Sequence, residues 1–285
     1  MSRTPVAPIL IGAAALAGGL FLLASRAGAA ITGSTALYEL RSQAFPGRGP
    51  GVLVHVPDGF DPSKPLDILV YFRGHNSCVS VLAGDAPAPC RPGGRVRKNS
   101  DLVGQFDRAG VNALLVMPEL RVEEATGDPG QLGARDGFAR FLAELLETLG
   151  PLGVSPVRRV ALAAHSGGYV ATAAVIQRGG VALTGPVGLF DALYGESAVF
   201  EQTALSGVRL FDLYTSAGGT DDNSRALGAR LQSRMGGVVL DDRASAPTPE
   251  QWAAQVLIKK VPEDHSSVPL RHFEGFVRQC GFKGI

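Results

Sequence analysis

The sequence predicts an α/β fold of the doubly wound type, with a mostly parallel sheet and helices on both faces. Short, strongly apolar runs of strand length alternate along the chain with longer segments whose apolar residues recur at helical spacing. The 285 residues, 45% of them hydrophobic, supply enough apolar side chains for one large core. We find neither an internal repeat nor a long linker, so residues 31–285 are predicted to form one domain.

Residues 1–30 differ from the rest of the chain and are predicted to be an export signal. An uncharged apolar run extends from Val6 to Ala24, and an Ala-x-Ala pattern at Ala27 and Ala29 follows it. This layout is typical of a signal peptide, here cleaved near Ala29 or Ala30. An uncleaved anchor that tethers the protein to a membrane is the alternative, because the run is near the lower length limit of a span. Both interpretations predict a periplasmic, secreted or membrane-anchored protein.

The first predicted elements after this segment are two strands, at residues 34–43 and 51–60, joined by a Gly/Pro-rich turn. The run from Leu66 to Phe72 ends abruptly at Gly74, which is typical of a fully buried central strand. A loop at residues 76–99, rich in Gly, Pro and Arg, then leads into a short helix. This loop is predicted to shape any pocket beside the central strand.

From residue 111 onward, strands and helices alternate regularly. The predicted elements are a strand at 111–120, a helix at 135–150, a strand at 157–165, a helix at 167–179, strands at 185–195 and 208–219, a helix at 222–237, a strand at 252–262 and a helix at 268–281. Such alternation favours parallel pairing, because a helical crossover brings the chain back to the same edge of the sheet.

Charge and cysteine content narrow the possible partners. The formal net charge is +1, so we expect no general attraction to nucleic acid or acidic lipid. Of the three cysteines, Cys78 and Cys90 lie in one loop and are predicted to form a disulfide in an oxidising compartment, which leaves Cys280 unpaired. The spacing of the cysteines is not that of a zinc site. A basic cluster, Cys90 to Lys98, is most simply a solvated loop, and a preference for anionic substrates is the alternative interpretation.

The segment Ala164 to Gly168 joins a predicted buried strand to a predicted helix and has Ser166 at its centre. Small neighbours let the backbone turn sharply there and hold the serine hydroxyl out at the carboxyl end of the sheet, as a nucleophile elbow requires. The backbone N–H of Gly167, at the start of the helix, would point at a developing oxyanion. A serine that only caps the helix is the alternative.

A serine nucleophile needs a base within hydrogen-bond distance, and His265 is the candidate. It follows the last predicted strand, so it should return to the same carboxyl edge as Ser166. His55 and His272 lie inside predicted elements. His165 is adjacent to Ser166, and its side chain is predicted to point away from that of the serine.

The loop after the central strand is predicted to supply a second oxyanion donor. In the sequence Arg73-Gly74-His75-Asn76, a backbone N–H between Gly74 and Asn76 is expected to face the reacting carbonyl, with Gly74, His75 and Asn76 as candidates. A strand that simply ends at a glycine before a polar loop is the alternative.

The carboxylate that would orient the histidine has two candidate positions. Asp191 ends the apolar run 185–195, where an acid is costly to bury without a partner. Asp221 and Asp222 follow the next strand, but they are also typical of a solvated turn that caps a helix. The need of a buried acid for a partner favours Asp191, with Asp221 or Asp222 as the alternative.

The order of Ser166, an acid and His265, together with the elbow and the loop after the third strand, resembles the α/β-hydrolase superfamily over nearly the whole chain from about Thr35. The resemblance implies an α/β-hydrolase-like catalytic domain, a Ser-His-Asp triad and no cofactor. Ala164 replaces the first glycine of the usual Gly-x-Ser-x-Gly motif, and Arg73 stands where a histidine is common.

These observations predict an exported serine hydrolase that cleaves an ester or amide bond of a small-molecule or peptide substrate through an acyl-enzyme. A non-catalytic binding protein on the same fold is one alternative, and an amidase or peptidase acting on cell-wall peptides is another. The fold alone does not identify the substrate, and the sequence carries no indication of oligomeric state.

Overall fold

The structure, a computed structural model, describes residues 21–23, 32–49 and 51–285. Most of the predicted export signal therefore lies outside the described residues, and only Phe21–Leu23 of that segment is placed, as a short strand. In the part of the chain that is described, none of the helices combines the length and the apolar character that crossing a membrane requires.

Within the described residues, ten strands form one sheet and two short strands form a separate hairpin. The strands are β1 Phe21–Leu23, β2 Ser34–Tyr38, β3 Val52–Val56, β4 Leu66–Phe72, β5 Ala88–Pro89, β6 Val96–Arg97, β7 Leu114–Pro118, β8 Val157–His165, β9 Val187–Phe190, β10 Leu210–Tyr214, β11 Val238–Asp241 and β12 Val256–Lys260. Strands β5 and β6 form the hairpin, and both belong to the long loop at residues 76–99.

The strand order in the large sheet is β1-β2-β3-β7-β4-β8-β9-β10-β12-β11. Strand β3 is antiparallel to both of its neighbours, whereas every other described pair is parallel. This arrangement confirms the predicted mostly parallel sheet. Because β4, β8, β9 and β12 run in the same direction, the loops that follow them meet at one edge.

The described helices cover both faces of the sheet. They are α1 Val79–Ala83, α2 Leu102–Ala109, α3 Gly137–Leu149, α4 Tyr169–Arg178, α5 Ser197–Leu205, α6 Asp221–Gln232, α7 Pro249–Trp252 and α8 Val268–Gln279. Helices α3 to α6 pack on one face, and α1, α2, α7 and α8 pack on the other. The doubly wound prediction is therefore confirmed.

The central strand β4 shows why its sequence is apolar at nearly every position, with Asp67 as the exception. Ile68, Val70 and Phe72 enter the core on one face, and Leu69 and Tyr71 enter the core on the other. Successive strand residues point to opposite faces, so a strand covered on both sides reads as a continuous apolar run.

Several local features differ from the sequence prediction, among them α1, β5 and β6 within the predicted loop at residues 76–99. Helix α5 and the edge strand β11 were not predicted, because α5 is weakly amphipathic and β11 is short and only partly buried. The predicted strand at 252–262 begins at Val256, because Trp252 belongs to α7. None of these differences changes which loops lie at the carboxyl edge.

Cys78 and Cys90 form the predicted disulfide, and Cys280 is buried and unpaired. The disulfide closes a loop in which its two cysteines are 12 residues apart, and it ties the start of α1 to the β5–β6 hairpin. A cross-link of this kind stabilises a fold mainly by restricting the unfolded chain.

We expect the double variant Cys78→Ser/Cys90→Ser to have a free energy of unfolding lower by about 3 kcal/mol, as the loss of chain restriction over a loop of this length predicts. Urea denaturation would measure the difference. Wild-type protein treated with a thiol reductant serves as the control and should match the double variant. An unchanged denaturation midpoint in both samples would contradict a stabilising role for this disulfide.

Candidate active site

Ser166 lies on a sharp turn between β8 and α4. Strand β8 ends at His165, and a 3₁₀ turn over Ser166–Gly168 leads directly into the helix. The φ angle of Ser166 is +53°, a left-handed conformation that non-glycine residues rarely adopt. Such strained backbone is characteristic of a nucleophile elbow.

Neighbouring glycines make room for this turn. A Cβ atom at Gly74 would lie 2.6 Å from the Cβ of Ser166, and one at Gly168 would lie 2.4 Å from the carbonyl oxygen of Phe72. Neither distance is compatible with a side chain. The small residues of the sequence motif therefore allow β4, β8 and α4 to approach one another closely.

Ser166, His265 and Asp191 are joined by hydrogen bonds. His265 Nε2 lies 2.9 Å from Ser166 Oγ, and His265 Nδ1 lies 2.7 Å from Asp191 Oδ2. Both distances are within the range expected of a general base and the group that orients it. A carboxylate at Nδ1 favours the tautomer with its proton there, which leaves Nε2 free to accept the proton of the serine hydroxyl.

The Asp191 carboxylate is fully buried and surrounded by donors. The Thr215 hydroxyl donates to Oδ2 over 2.8 Å. The Thr215 N–H, over 3.2 Å, and the Thr220 hydroxyl both donate to Oδ1. Burial alone would raise the pKa of Asp191, but the hydrogen bonds from His265, Thr220 and Thr215 together hold it below its ordinary value. The carboxylate is therefore ionised at neutral pH.

Asp221 and Asp222 lie elsewhere, in the first turn of α6. Asp221 pairs with Arg225 at 2.8 Å and with Lys260 at 3.6 Å, and Asp222 pairs with Arg225 at 3.0 Å. Of the three acids considered from the sequence, the structure brings only Asp191 to His265. Asp222 is solvated, with 97% of its side chain exposed, whereas only 22% of the Asp221 side chain is exposed.

The strand order and the turn at Ser166 together identify the architecture. Eight neighbouring strands of the sheet, β2-β3-β7-β4-β8-β9-β10-β12, correspond to the chain order 1-2-4-3-5-6-7-8 when β1, β5, β6 and β11 are left out of the numbering. The second of these strands, β3, is antiparallel to its neighbours. The strained serine turn follows the fifth of these strands. The chain has the α/β-hydrolase fold.

Comparison with known proteins adds two distant structural likenesses. One is a structure named FAE, with 13% identity, a TM-score of 0.47 and coverage of 90% of this chain and 95% of that chain. The other is a serine-to-alanine mutant of the feruloyl esterase module from Clostridium thermocellum, complexed with sinapinate, with 14% identity, a TM-score of 0.45 and coverage of 85% and 87%. No protein-family model and no curated protein matches the chain.

In this α/β-hydrolase fold, the loop after β4 lies beside Ser166, as predicted. The N–H of Asn76 donates to the carbonyl oxygen of Glu124 over 2.9 Å. Because its N–H is already used, Asn76 is less suited than Gly74 or His75 to donate to an oxyanion, and the donor in this loop stays a prediction. Gly74 and His75 stay as candidates in this loop, together with Gly167 at the start of α4.

The His75 imidazole covers the elbow in a way that the sequence did not indicate. A Cβ atom at Gly167 would lie 2.0 Å from His75 Nε2, so only glycine fits beneath the ring. Burial, followed by the charges of Arg73 and His265, lowers the pKa of His75. The neutral ring thus forms one wall of the space above Ser166.

Arg73 replaces the common histidine and has a structural role. Its guanidinium is fully buried, forms an ion pair with Glu119, and donates to the carbonyl oxygens of Gly74 and Arg121. Glu119 in turn accepts a hydrogen bond of 2.8 Å from the N–H of Val79. The buried pair therefore holds both ends of the loop that carries Gly74 and His75.

Two further side chains contact His265, and sequence reasoning missed both contacts. His165 Nε2 lies 3.0 Å from the carbonyl oxygen of His265, and the two rings are 4.7 Å apart. Burial lowers the pKa of His165 to about 4, so the ring is neutral. The Tyr194 hydroxyl lies 3.4 Å from His265 Nδ1 and donates to the carbonyl oxygen of Gly218. Both residues restrict the position of the imidazole.

A cavity of about 490 Å³ opens beside Ser166. It is lined by the elbow and His265, by the loop after β4, and by the segment around β6. The lining residues are Gly74, His75, Asn76, Ser77, Leu82, Arg95, Val96, Arg97, Lys98, Ser100, His165, Ser166, His265 and Ser266. Within the described residues, no group of three or more His, Cys, Asp or Glu side chains is arranged to hold a metal ion.

Asp212, on β10, is a second buried acid near Asp191. It is fully buried. Burial raises its pKa to about 7, against an opposing effect of nearby Ser224 and with a contribution from the Asp191 charge. The folded protein therefore binds a proton at Asp212 that the unfolded chain releases at lower pH.

This shift predicts a pH dependence of stability. The pKa of Asp212 in the folded protein lies above the ordinary value of 3.8. Its contribution to the free energy of unfolding is therefore fully present below about pH 4 and is lost as pH rises toward 7. We expect Asp212→Asn to remove this part of the decline in the free energy of unfolding between pH 4 and 8. Urea denaturation across that range measures it, with the exposed Asp222→Asn as the control. An equal decline in Asp212→Asn and wild type would contradict the assignment.

Proposed function

We propose that this protein is an exported serine hydrolase that cleaves acyl esters, with Ser166 as nucleophile, His265 as general base and acid, and Asp191 as the orienting carboxylate. The observation that carries this proposal is the continuous hydrogen-bonded chain from Asp191 through His265 to Ser166, at the floor of a cavity. A helix-capping serine would need neither the histidine nor the buried acid.

In the proposed reaction, Ser166 Oγ attacks the acyl carbon while His265 Nε2 takes its proton. The carbonyl electrons move onto the oxygen, and the N–H of Gly167 with one from Gly74 or His75 stabilises that oxyanion. Collapse of the tetrahedral intermediate expels the alcohol, which receives the proton from His265. A water molecule then attacks the acyl-enzyme by the same route, releasing the acid and restoring Ser166.

The surroundings of the triad support this mechanism. Asp191 is ionised and buried, so it stabilises the imidazolium that His265 becomes during attack. The neutral His165 ring adds no positive charge that would oppose protonation of His265. Removing water from such a site strengthens each of these interactions.

Export is supported by the composition of residues 1–30 and by the Cys78–Cys90 disulfide, which is typical of oxidising compartments. We propose residues 1–30 as the signal or anchor and residues 31–285 as a single catalytic domain. The mass of the protein recovered from the producing cell would distinguish a cleaved signal from a retained anchor.

Labelling with a fluorophosphonate tests the nucleophile directly. This reagent modifies activated serines, so wild type and the control variant Ser63→Ala should be labelled and Ser166→Ala should not. Ser63 is a suitable control because its exposed side chain only hydrogen-bonds to Asp61. Folded wild-type protein that resists labelling would contradict the proposal and favour a binding protein on the same fold.

Substrate class requires a separate comparison. Initial rates on p-nitrophenyl esters, the matching p-nitroanilides and muropeptides would separate an esterase from an amidase or a cell-wall peptidase. We expect the ester to be cleaved fastest.

A further inference from the structure

The cavity beside Ser166 is lined by three cationic side chains, Arg95, Arg97 and Lys98, which come from the β5–β6 hairpin and the residue after it. Among the lining residues of the described structure there is no carboxylate. The disulfide between Cys78 and Cys90 fixes the hairpin to the start of α1, next to the loop after β4. The positive charge therefore belongs to the wall of the site and does not lie on a distant surface.

Two of these cations have partners within the protein. Arg97 lies 3.7 Å from Glu123, and only 21% of its side chain is exposed. Lys98 forms an ion pair of 3.2 Å with Asp264, and both of these side chains are more than half exposed. In contrast, Arg95 forms no ion pair with any residue that the structure describes. One guanidinium in the cavity therefore lacks a protein counter-ion.

Apolar side chains lie in the same wall. Val96 is 61% exposed although it is a large hydrophobic residue, and Leu82 also lines the cavity. A ligand with an apolar segment would cover this surface and gain from its removal from water. A planar guanidinium binds a carboxylate through two parallel hydrogen bonds. The single unpaired positive charge of Arg95 therefore matches a ligand with one negative charge.

From these observations, and resting on the proposed function, we propose that the ester cleaved at Ser166 carries a carboxylate that Arg95 binds, joined to the ester by an apolar segment that packs on Val96 and Leu82. The substrate class is thus a half-ester of a dicarboxylic acid or an ester of a carboxylated alcohol.

Binding measured on Ser166→Ala, which cannot turn over, tests this inference independently of catalysis. The probes are mono-p-nitrophenyl adipate and its neutral methyl ester, and 4-carboxyphenyl hexanoate and its neutral methyl ester. For at least one pair, the carboxylate should bind about 2- to 5-fold more tightly in calorimetric titrations, as an ion pair with the exposed Arg95 predicts. About 1 M NaCl should reduce the preference.

Two further variants assign the preference to Arg95. It should be lost in Ser166→Ala/Arg95→Gln and retained in Ser166→Ala/Arg135→Gln, because Arg135 is 95% exposed and lies outside the cavity. Equal affinity within both probe pairs, or a preference that survives Arg95→Gln, would overturn the inference.

Hydrolysis of the neutral esters by wild type separates this inference from the proposed function. Turnover without any charge preference in binding would refute the inference alone. A charge preference without turnover of any ester would refute the proposed function and leave the carboxylate site supported.

Discussion

His265→Ala should lower kcat for a p-nitrophenyl ester by about 10⁵- to 10⁶-fold, because removing either the base or the nucleophile of a serine triad costs nearly as much as removing the whole triad. Without the imidazole, the Ser166 hydroxyl keeps its proton during attack, and the leaving alcohol receives none. KM should change little, since the ring contributes mainly to the transition state. Burst and steady-state kinetics at neutral pH would measure both quantities.

The matched control for this prediction is His55→Gln. His55 lies on β3 and hydrogen-bonds to Asp107 at 2.7 Å and to Thr35 at 2.9 Å, on a strand that is remote from β8 in the sheet. Glutamine can retain one of these hydrogen bonds, so kcat should stay within about twofold of wild type. A loss in His265→Ala of less than about tenfold would mean that another group removes the serine proton.

The second large effect is expected at the acid. Asp191→Asn should lower kcat by about 10⁴-fold, since an amide at this place favours the wrong tautomer of His265 and no longer stabilises the imidazolium. The Thr215 and Thr220 donors would hold the asparagine in the same position, so the loss would reflect charge and tautomer rather than geometry.

Asp221→Asn and Asp222→Asn provide the matched comparison. Both residues pair with Arg225 and neither contacts His265, so each substitution should leave kcat within about twofold of wild type. Comparable losses at Asp191 and Asp221 would contradict the assignment of the acid. Thermal denaturation of all three variants would show whether any loss arises from unfolding.

Much of the fold could be predicted from the sequence because its signals are local. Continuous apolar runs such as residues 68–72 indicate strands buried on both faces, and the small residues around Ser166 indicate a sharp turn. The position of Asp191 followed from a physical requirement, since an acid within an apolar segment needs a partner. These inferences required no knowledge of distant contacts.

The other parts of the site depend on contacts between segments far apart in the chain. The Asn76 N–H is used by Glu124, which lies in a segment that no local pattern connects to it. The contact of His165 with His265 depends on how the end of β8 packs against the turn that carries His265, and the residues are 100 positions apart. The sequence of the basic hairpin is typical of a solvated loop. The position of the hairpin in the fold, fixed by the disulfide, is what places Arg95 at the cavity.

The disulfide between Cys78 and Cys90 has a consequence for how this protein could change. Its loop carries the hairpin strand β5 and leads to β6, whereas Ser166, His265 and Asp191 are held by the sheet and its other loops. Residues 91–98 therefore form a cavity wall that could be exchanged as a unit, because the disulfide at Cys90 fixes the point where this segment begins. Replacing that octapeptide in the laboratory, or through duplication and divergence, should alter which acids and alcohols are accepted while the chemical apparatus stays intact.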